Sequence, residues 1–99
     1  MTVFQMLQTL GRQVAFGYHS KPQQLPYFCI MGAGQDQSMA DNTYWTKADR
    51  WSVEFYFKQK DPEFENQIEE LLLNNGYLYD KSEDVYIESD DVFVIYYSI

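Results

Sequence analysis

The side chains best suited to acid–base or nucleophilic chemistry are His19 and Cys29, the only histidine and the only cysteine of this 99-residue chain. His19 begins the polar stretch HSKPQQ, where the sequence indicates no partner that would orient a catalytic base. Cys29 lies in the apolar run YFCIM, where a thiol packs as a small hydrophobic group. We therefore expect a surface role for His19 and a buried, structural role for Cys29.

The acidic run DKSEDVYIESDD invites comparison with a calcium-binding loop. On the twelve-residue EF-hand template, Asp80, Ser82 and Asp84 take positions one, three and five. Val85 then stands where the template requires glycine, and Asp91 where it requires a bidentate glutamate. Because strands rather than helices are predicted on both sides, we expect no dedicated metal site here.

Other patterns typical of enzymes are incomplete. The run GAGQDQ, which begins at Gly32, resembles half of a dinucleotide fingerprint, but the third glycine and the following helix are missing. Paired carboxylates for glycoside chemistry require a cleft that the sequence does not define. We expect that the protein is not an enzyme and that it uses no cofactor.

Charge is distributed unevenly along the chain, whose net charge is −8. Residues 1–60 hold six Lys/Arg against four acids, and residues 61–99 hold eleven acids against Lys81 alone. Binding to a phosphate backbone depends on clustered Lys/Arg, so the pattern argues against nucleic-acid binding. A DNA-mimic inhibitor, whose carboxylates imitate phosphates, stays open, although the six basic residues of the first part count against it.

Composition also limits the compartment. No window approaches the roughly 18 apolar residues that a membrane span needs, and the N-terminus lacks the basic start and cleavage site of a signal peptide. A single cysteine excludes an internal disulfide and fits a reducing environment. We expect synthesis in the cytosol and no membrane partner. Aromatic residues, at 18% of the chain, suit strands and interfaces.

The clearest structural pattern is a strand followed by a helix. Trp51, Val53, Phe55 and Phe57 alternate with more polar residues, which predicts a strand with one buried face. The same stretch ends in the polar sequence KQKD, which predicts a tight turn into the helix.

The helix predicted over 61–76 has signals at both ends and an apolar stripe between them. Asp61 suits the N-cap, Pro62 the first helical position and Gly76 a left-handed C-terminal cap. Its apolar stripe, which we expect to pack on the strand's buried face, consists of Phe64, Ile68, Leu71 and Leu72.

The remaining patterns define the fold class. Thr2 and Gln5 have the spacing of a capping box over a first helix that runs to about residue 12. We further predict strands over 14–18 and 27–31, a long polar connection over 32–43, and strands over 77–80, 85–89 and 91–99. This order, helix–strands–helix–strands, favours a single α+β domain over 1–99 with an antiparallel or mixed sheet and two flanking helices.

Four stretches of the chain resemble a known family. ADNTY at 40–44, VEFYFKQKD at 53–61, QIEELL at 67–72 and VYIESDDVFVIYY at 85–97 are similar to small tail-completion proteins of siphophages that infect Gram-positive bacteria. The resemblance extends from Val14 to Tyr97, and it is to the tail terminator proteins of these phages. The motifs are structural and carry no catalytic chemistry.

The resemblance implies a fold and a function. Tail terminators form a hexameric ring that caps the finished tail tube, stops the addition of tube subunits and contacts the head-completion proteins. The implied partners are further copies of this chain, the major tail tube protein and a head-completion or connector protein. The implied location is the neck of a virion that is assembled in the host cytoplasm. DNA would pass through the acidic lumen of the ring without specific binding. A head-completion or stopper role in the same neck stays open.

The candidate interface combines the predicted connection over 32–43 with the acidic C-terminal part. We expect the connection to be mobile in the isolated subunit and ordered against a neighbouring subunit or the tube. The candidate interface residues are Met39, Asp41, Asn42, Tyr44, Trp45, Glu83, Asp84, Glu88 and Asp90.

Overall fold

A computed structural model describes residues 2–18, 24–40 and 44–99, with the backbone alone for 36–40 and 44–48. His19, Asp41 and Asn42 lie outside the described residues, so the expectations that concern them stay predictions.

The described residues form two helices and one mixed sheet of six strands, which confirms the predicted α+β class. The elements are α1 (Val3–Gln8), β1 (Val14–Phe16), β2 (Tyr27–Ala40), β3 (Tyr44–Phe57), α2 (Pro62–Asn74), β4 (Asp80–Lys81), β5 (Val85–Ile87) and β6 (Val92–Ser98). The sheet order is β1-β2-β3-β6, with β4 and β5 both paired to β6; β1 runs parallel to β2 and the other pairs are antiparallel.

Helix α1 begins as predicted but ends early. The side chain of Thr2 accepts a hydrogen bond from the Gln5 amide, and the Gln5 side chain accepts one from the Thr2 amide, which completes the capping box. The helix ends at Gln8 instead of near residue 12, because the chain turns through Gly11 at a positive φ of 79°.

Helix α2 has both predicted caps. The Asp61 side chain accepts a hydrogen bond from the Phe64 amide at 3.1 Å. At the other end, the Tyr77 amide donates to the Leu72 carbonyl at 2.9 Å and the Gly76 amide donates to the Leu73 carbonyl at 3.0 Å. This pair of bonds is a Schellman motif, and it requires the positive φ of 84° that Gly76 adopts.

The core lies between the two helices and one face of the sheet. Val53, Phe55 and Phe57 of β3 are buried on this face, and Ile68 and Leu72 of α2 are buried against it. The other members of the predicted stripes are only partly buried at the margin of this core; they are Trp51, Phe64 and Leu71. The packing of α2 on β3 is thus confirmed.

The polar connection predicted over 32–43 is wrong for residues 32–40, which continue β2. These residues pair with β3 from Gln35, which lies opposite Asp49, to Ala40, which lies opposite Tyr44. The pairing has an irregular step between Gly32 and Gln35. Gly34 takes a positive φ of 96° at that step, where a glycine meets little steric cost. The stretch lacks the alternation of a half-buried strand, and its Gly, Asp, Gln and Ser content favoured a loop.

The C-terminal strands are shorter than predicted. The segment 77–80 is a strand only at Asp80, because Tyr77 completes the C-terminal cap of α2. β5 and β6 lie within the predicted ranges. Cys29 is only 3% exposed, which confirms the prediction that this residue is buried.

Candidate interaction surfaces

The most extended feature is a two-stranded arm, formed by residues 33–40 of β2 and 44–50 of β3. β1 pairs with β2 only from Phe28 to Ile30, and β6 pairs with β3 only from Ser52 to Phe57. Within the described chain, no third strand therefore flanks the arm on either side. At about 3.3 Å per residue, the arm is about 25 Å long, and it contributes to a molecule whose longest dimension is 50 Å.

The open edges of the arm make it a candidate for contact with another chain. No described strand pairs with the outer edge of either arm strand, and an open strand edge is a template for pairing. A two-stranded ribbon by itself is at best marginally stable in water. A hydrogen bond of 2.9 Å from Gln35 Nε2 to Asp49 Oδ1 links the strands near the base. The distal backbone pairs are Met39 with Trp45 and Ala40 with Tyr44, so three predicted interface residues lie at the far end.

The four acidic candidate residues are exposed and lie together at the opposite end of the molecule. Glu83 and Asp84 lie in the link between β4 and β5, and Glu88 and Asp90 lie in the turn between β5 and β6. This end of the sheet is the one where Phe57 pairs with Phe93.

Two lysines of the loop after β3 hold these acidic segments in place. Lys58 contacts the Asp91 carboxylate and also donates to the Asp91 carbonyl at 2.8 Å, and Lys60 Nζ lies 3.0 Å from the Asp84 carboxylate. From Tyr44 to Phe57, β3 is about 40 Å long. The predicted interface residues therefore form two separate surfaces, one at each end of β3.

A buried carboxylate beneath α2 was missed by the sequence analysis. Glu65 is 2% exposed, and its Oε1 lies 2.8 Å from Lys81 Nζ. Lys60 Nζ donates a hydrogen bond of 3.0 Å to the same Oε1. The other oxygen, Oε2, lies 2.8 Å from Lys60 Nζ but accepts no well-formed hydrogen bond from the described residues. The sequence does contain one signal for its burial, because Glu65 lies on the same face of the helix as the buried Ile68 and Leu72.

Glu69 extends this network to the sheet. Its carboxylate lies 2.9 Å from Lys81 Nζ and accepts hydrogen bonds from Tyr97 at 2.9 Å and Tyr79 at 3.2 Å. Burial raises the pKa of Glu69, but the bonds from Lys81 and Tyr97 outweigh it and leave the pKa below its usual value. Burial, together with the bond to Glu69, raises the pKa of Tyr97. The network ties α2 to β4 and β6.

A cleft of about 410 Å³ opens beside the N-terminal end of α2. Arg12 lies on its rim, where the guanidinium carbon is 5.8 Å from the centre of the Phe64 ring. Lys60 Nζ lies 5.6 Å from the centre of the Phe57 ring. The apolar lining consists of Leu25, Pro26, Phe55, Phe57 and Phe64, and the charged lining of Arg12, Lys58, Lys60 and Asp61. Sequence reasoning did not identify this cleft, because its walls come from three separate parts of the chain.

Two leucines are exposed at the other end of α2. Leu73, in the last turn, is 51% exposed, and Leu78, in the link to β4, is 85% exposed. Such exposure of single leucines is ordinary. Because both lie at the C-terminal end of α2, five positions apart in the chain, we treat them together as a candidate contact, which we call the leucine knob.

The sheet face opposite the helices is rich in tyrosine. The rings of Tyr27 and Tyr56 stack with their centres 4.9 Å apart, and Tyr56 donates a hydrogen bond of 2.6 Å to Glu54. Burial, reinforced by the Glu54 carboxylate, raises the pKa of Tyr56. Tyr27 and Cys29 are two residues apart in β2, so they share this face of the sheet.

Within the described residues, no group of three or more His, Cys, Asp or Glu side chains is arranged to hold a metal ion. No helix in the described part of the chain has the length and apolar character needed to cross a membrane. Comparison with protein-family models gave no match, and a search of curated proteins likewise found no similar sequence.

Proposed function

We propose that this protein is a structural subunit of a siphophage neck, where six copies form a ring that caps the tail tube. The ring would end tube polymerisation and join the tail to the head-completion proteins. The observation that carries the proposal is the arm, whose open strand edges suit contact with a neighbouring chain. The resemblance of residues 14–97 to tail terminators supplies the specific role.

The arm is costly for a subunit that works alone. Its residues lie beyond the strands that flank the rest of β2 and β3, and exposed strand edges promote unwanted pairing. A partner that pairs with or covers the arm removes this liability and stabilises the ribbon. An assembly subunit has such a partner in its neighbour or in the tube end.

The separation of the candidate surfaces also suits a ring. A head-to-tail ring requires two different complementary patches on each subunit. The distal arm and the acidic end, marked by Glu83 and Glu88, lie at opposite ends of β3. An acidic surface along a lumen would repel DNA and permit its passage without sticking.

Electron microscopy of virions made without the protein tests the proposal. Loss of a terminator should give tails of abnormal length that are not joined to heads, and the wild-type chain supplied in trans should restore normal virions. A chain whose arm is replaced by a short turn between Gly32 and Trp51 should stay folded but fail to restore them. Tails of normal length together with full heads that leak DNA would instead assign the stopper role. Normal, joined virions would contradict both.

A further inference from the structure

The leucine knob and the cleft lie at opposite ends of the same helix. The cleft adjoins Phe64 in the first turn of α2, and the knob comprises Leu73 in its last turn and Leu78 just beyond it. A helix of 13 residues is about 20 Å long. The knob of one molecule therefore cannot fill its own cleft, but it can fill that of another.

Among the described residues, the cleft offers one cation that has no carboxylate partner. Lys58 forms an ion pair with Asp91, and Lys60 forms ion pairs with Glu65 and Asp84. Arg12, which is exposed, contacts the face of Phe64 but forms no ion pair with any carboxylate that the structure describes.

The knob offers the complementary charge. Asp80 follows Leu78 by two residues, and Glu70 precedes Leu73 by one helical turn. Both carboxylates are exposed, and neither pairs with a cation in the described parts of the chain. The knob thus presents apolar side chains beside carboxylates that lack a cation partner among the described residues. The cleft is a hollow with mixed apolar and polar walls beside a guanidinium that lacks a carboxylate partner among the same residues.

We propose that Leu78 of one copy inserts into the Arg12 cleft of a second copy, with Asp80 or Glu70 accepting hydrogen bonds from Arg12. At about 410 Å³, the cleft is within the size range of protein binding pockets. Guanidinium and carboxylate form strong, directional pairs. Because knob and cleft differ, the contact is heterologous and generates a ring or a filament. It deepens the proposed ring function and rests on it for the number of copies.

Two variants test the contact, each blocking one surface. Leu78→Glu places a charge on the knob, and Arg12→Glu reverses the charge at the cleft. Both positions are exposed, so urea unfolding should match that of the wild-type protein. Sedimentation should show self-association weakened at least tenfold for each variant, whereas Gln8→Glu, an exposed control with the same change in charge as Leu78→Glu, should associate as the wild type does.

Mixing the variants gives the sharper result. A 1:1 mixture retains one intact knob on Arg12→Glu and one intact cleft on Leu78→Glu, so it should form dimers and stop there. A fluorophore on the N-terminus of one variant should co-sediment with the other variant. With salt added to screen the net charge, monomers only in the mixture, wild-type association of Leu78→Glu, or a wild-type protein that stays monomeric at high concentration would each overturn the contact.

The outcome is distinct from that of the virion experiment. Rings that persist in both variants, alongside abnormal tails when the protein is absent, would overturn the knob contact and support the terminator role. Dissociated variants alongside normal tails in its absence would support the contact and overturn the terminator role. Loss of tube binding by Leu78→Glu without loss of self-association would make the tube protein the occupant and overturn the proposal.

Discussion

The carboxylate of Glu65 lies 2.8 Å from the ammonium group of Lys81, although 16 positions separate the two residues. Glu65 is on the buried side of α2, and Lys81 is in the short strand β4 that pairs with the end of β6. A carboxylate that is buried to this degree is costly unless cations satisfy it. The position of β4 under the helix is therefore fixed by charge as well as by backbone pairing.

Lys81→Met should destabilise the protein markedly, because it leaves the buried Glu65 with Lys60 as its one cation among the described residues and removes a cation from Glu69. Breaking a buried ion pair costs about 3–5 kcal/mol, and we expect about 2–3 kcal/mol because a third of the Lys81 side chain is exposed. Urea unfolding at neutral pH measures this loss. Lys58→Met, which removes an exposed ion pair with Asp91, is the matched control and should change stability much less. Equal losses would contradict the role of the buried pair.

Glu69 should make stability depend on acid pH. Its pKa is lowered in the folded state, so its stabilising contribution is present above its unfolded pKa and is lost as pH falls through the folded pKa. Unfolding midpoints measured from neutral pH down to about pH 3 should fall less steeply in Glu69→Gln than in the wild type. Glu70→Gln, one position away and exposed, should keep the wild-type slope. If both variants show the same slope, Glu69 does not carry the effect.

Phe64→Ala should cost about 2–3 kcal/mol of unfolding free energy, less than the 3–5 kcal/mol typical of a fully buried phenylalanine. Phe64 is half-buried, but its ring centre lies 5.5 Å from that of Phe55 and it supports Arg12. Urea unfolding measures the loss, and Leu72→Ala, at a fully buried site of the same helix, should give a larger one. A loss below about 0.5 kcal/mol, the size of a surface effect, would mean that Phe64 does not stabilise the isolated subunit.

Amide hydrogen exchange should distinguish the arm from the rest of β2 and β3. In the isolated subunit, amides of 33–40 should exchange faster than those of Val53 and Phe55, because no described strand flanks the arm whereas Val53 and Phe55 lie in the buried core of a wider sheet. In the assembled tail, the same amides should become protected if a neighbour covers the arm. Equal protection of the arm in both states would count against its interface role.

The strand over 51–57 and helix α2 could be predicted because their signals are local. Alternation, an Asp-Pro start and an Asn-Gly end each specify a conformation within a few residues. The arm could not be predicted, since the sequence over 32–40 has no apolar–polar alternation to mark a strand. The Glu65 network and the cleft depend on which elements the sheet brings together, and no local pattern contains that information.

Salt should favour assembly of the ring. Six copies with a net charge of −8 each bring −48 together, and this self-repulsion opposes closure. Lys58 and Lys60 are already paired within the subunit, which leaves few cations to offset the repulsion between copies. Added salt shortens the screening length from about 30 Å at 0.01 M to about 10 Å at 0.1 M. We therefore expect monomers or weak association at low salt and a shift toward the ring with added salt or magnesium.

Sedimentation at those two salt concentrations measures the balance between repulsion and patch pairing. A triple variant, Glu83→Gln with Glu88→Gln and Asp90→Asn, removes three exposed charges that have no cation partner in the described residues. Since it lowers the repulsion directly, it should assemble at low salt to the extent that the wild type does at high salt. The opposite response, a wild-type ring that is stable at low salt and dissociates as salt rises, would mean that pairing between oppositely charged patches dominates assembly.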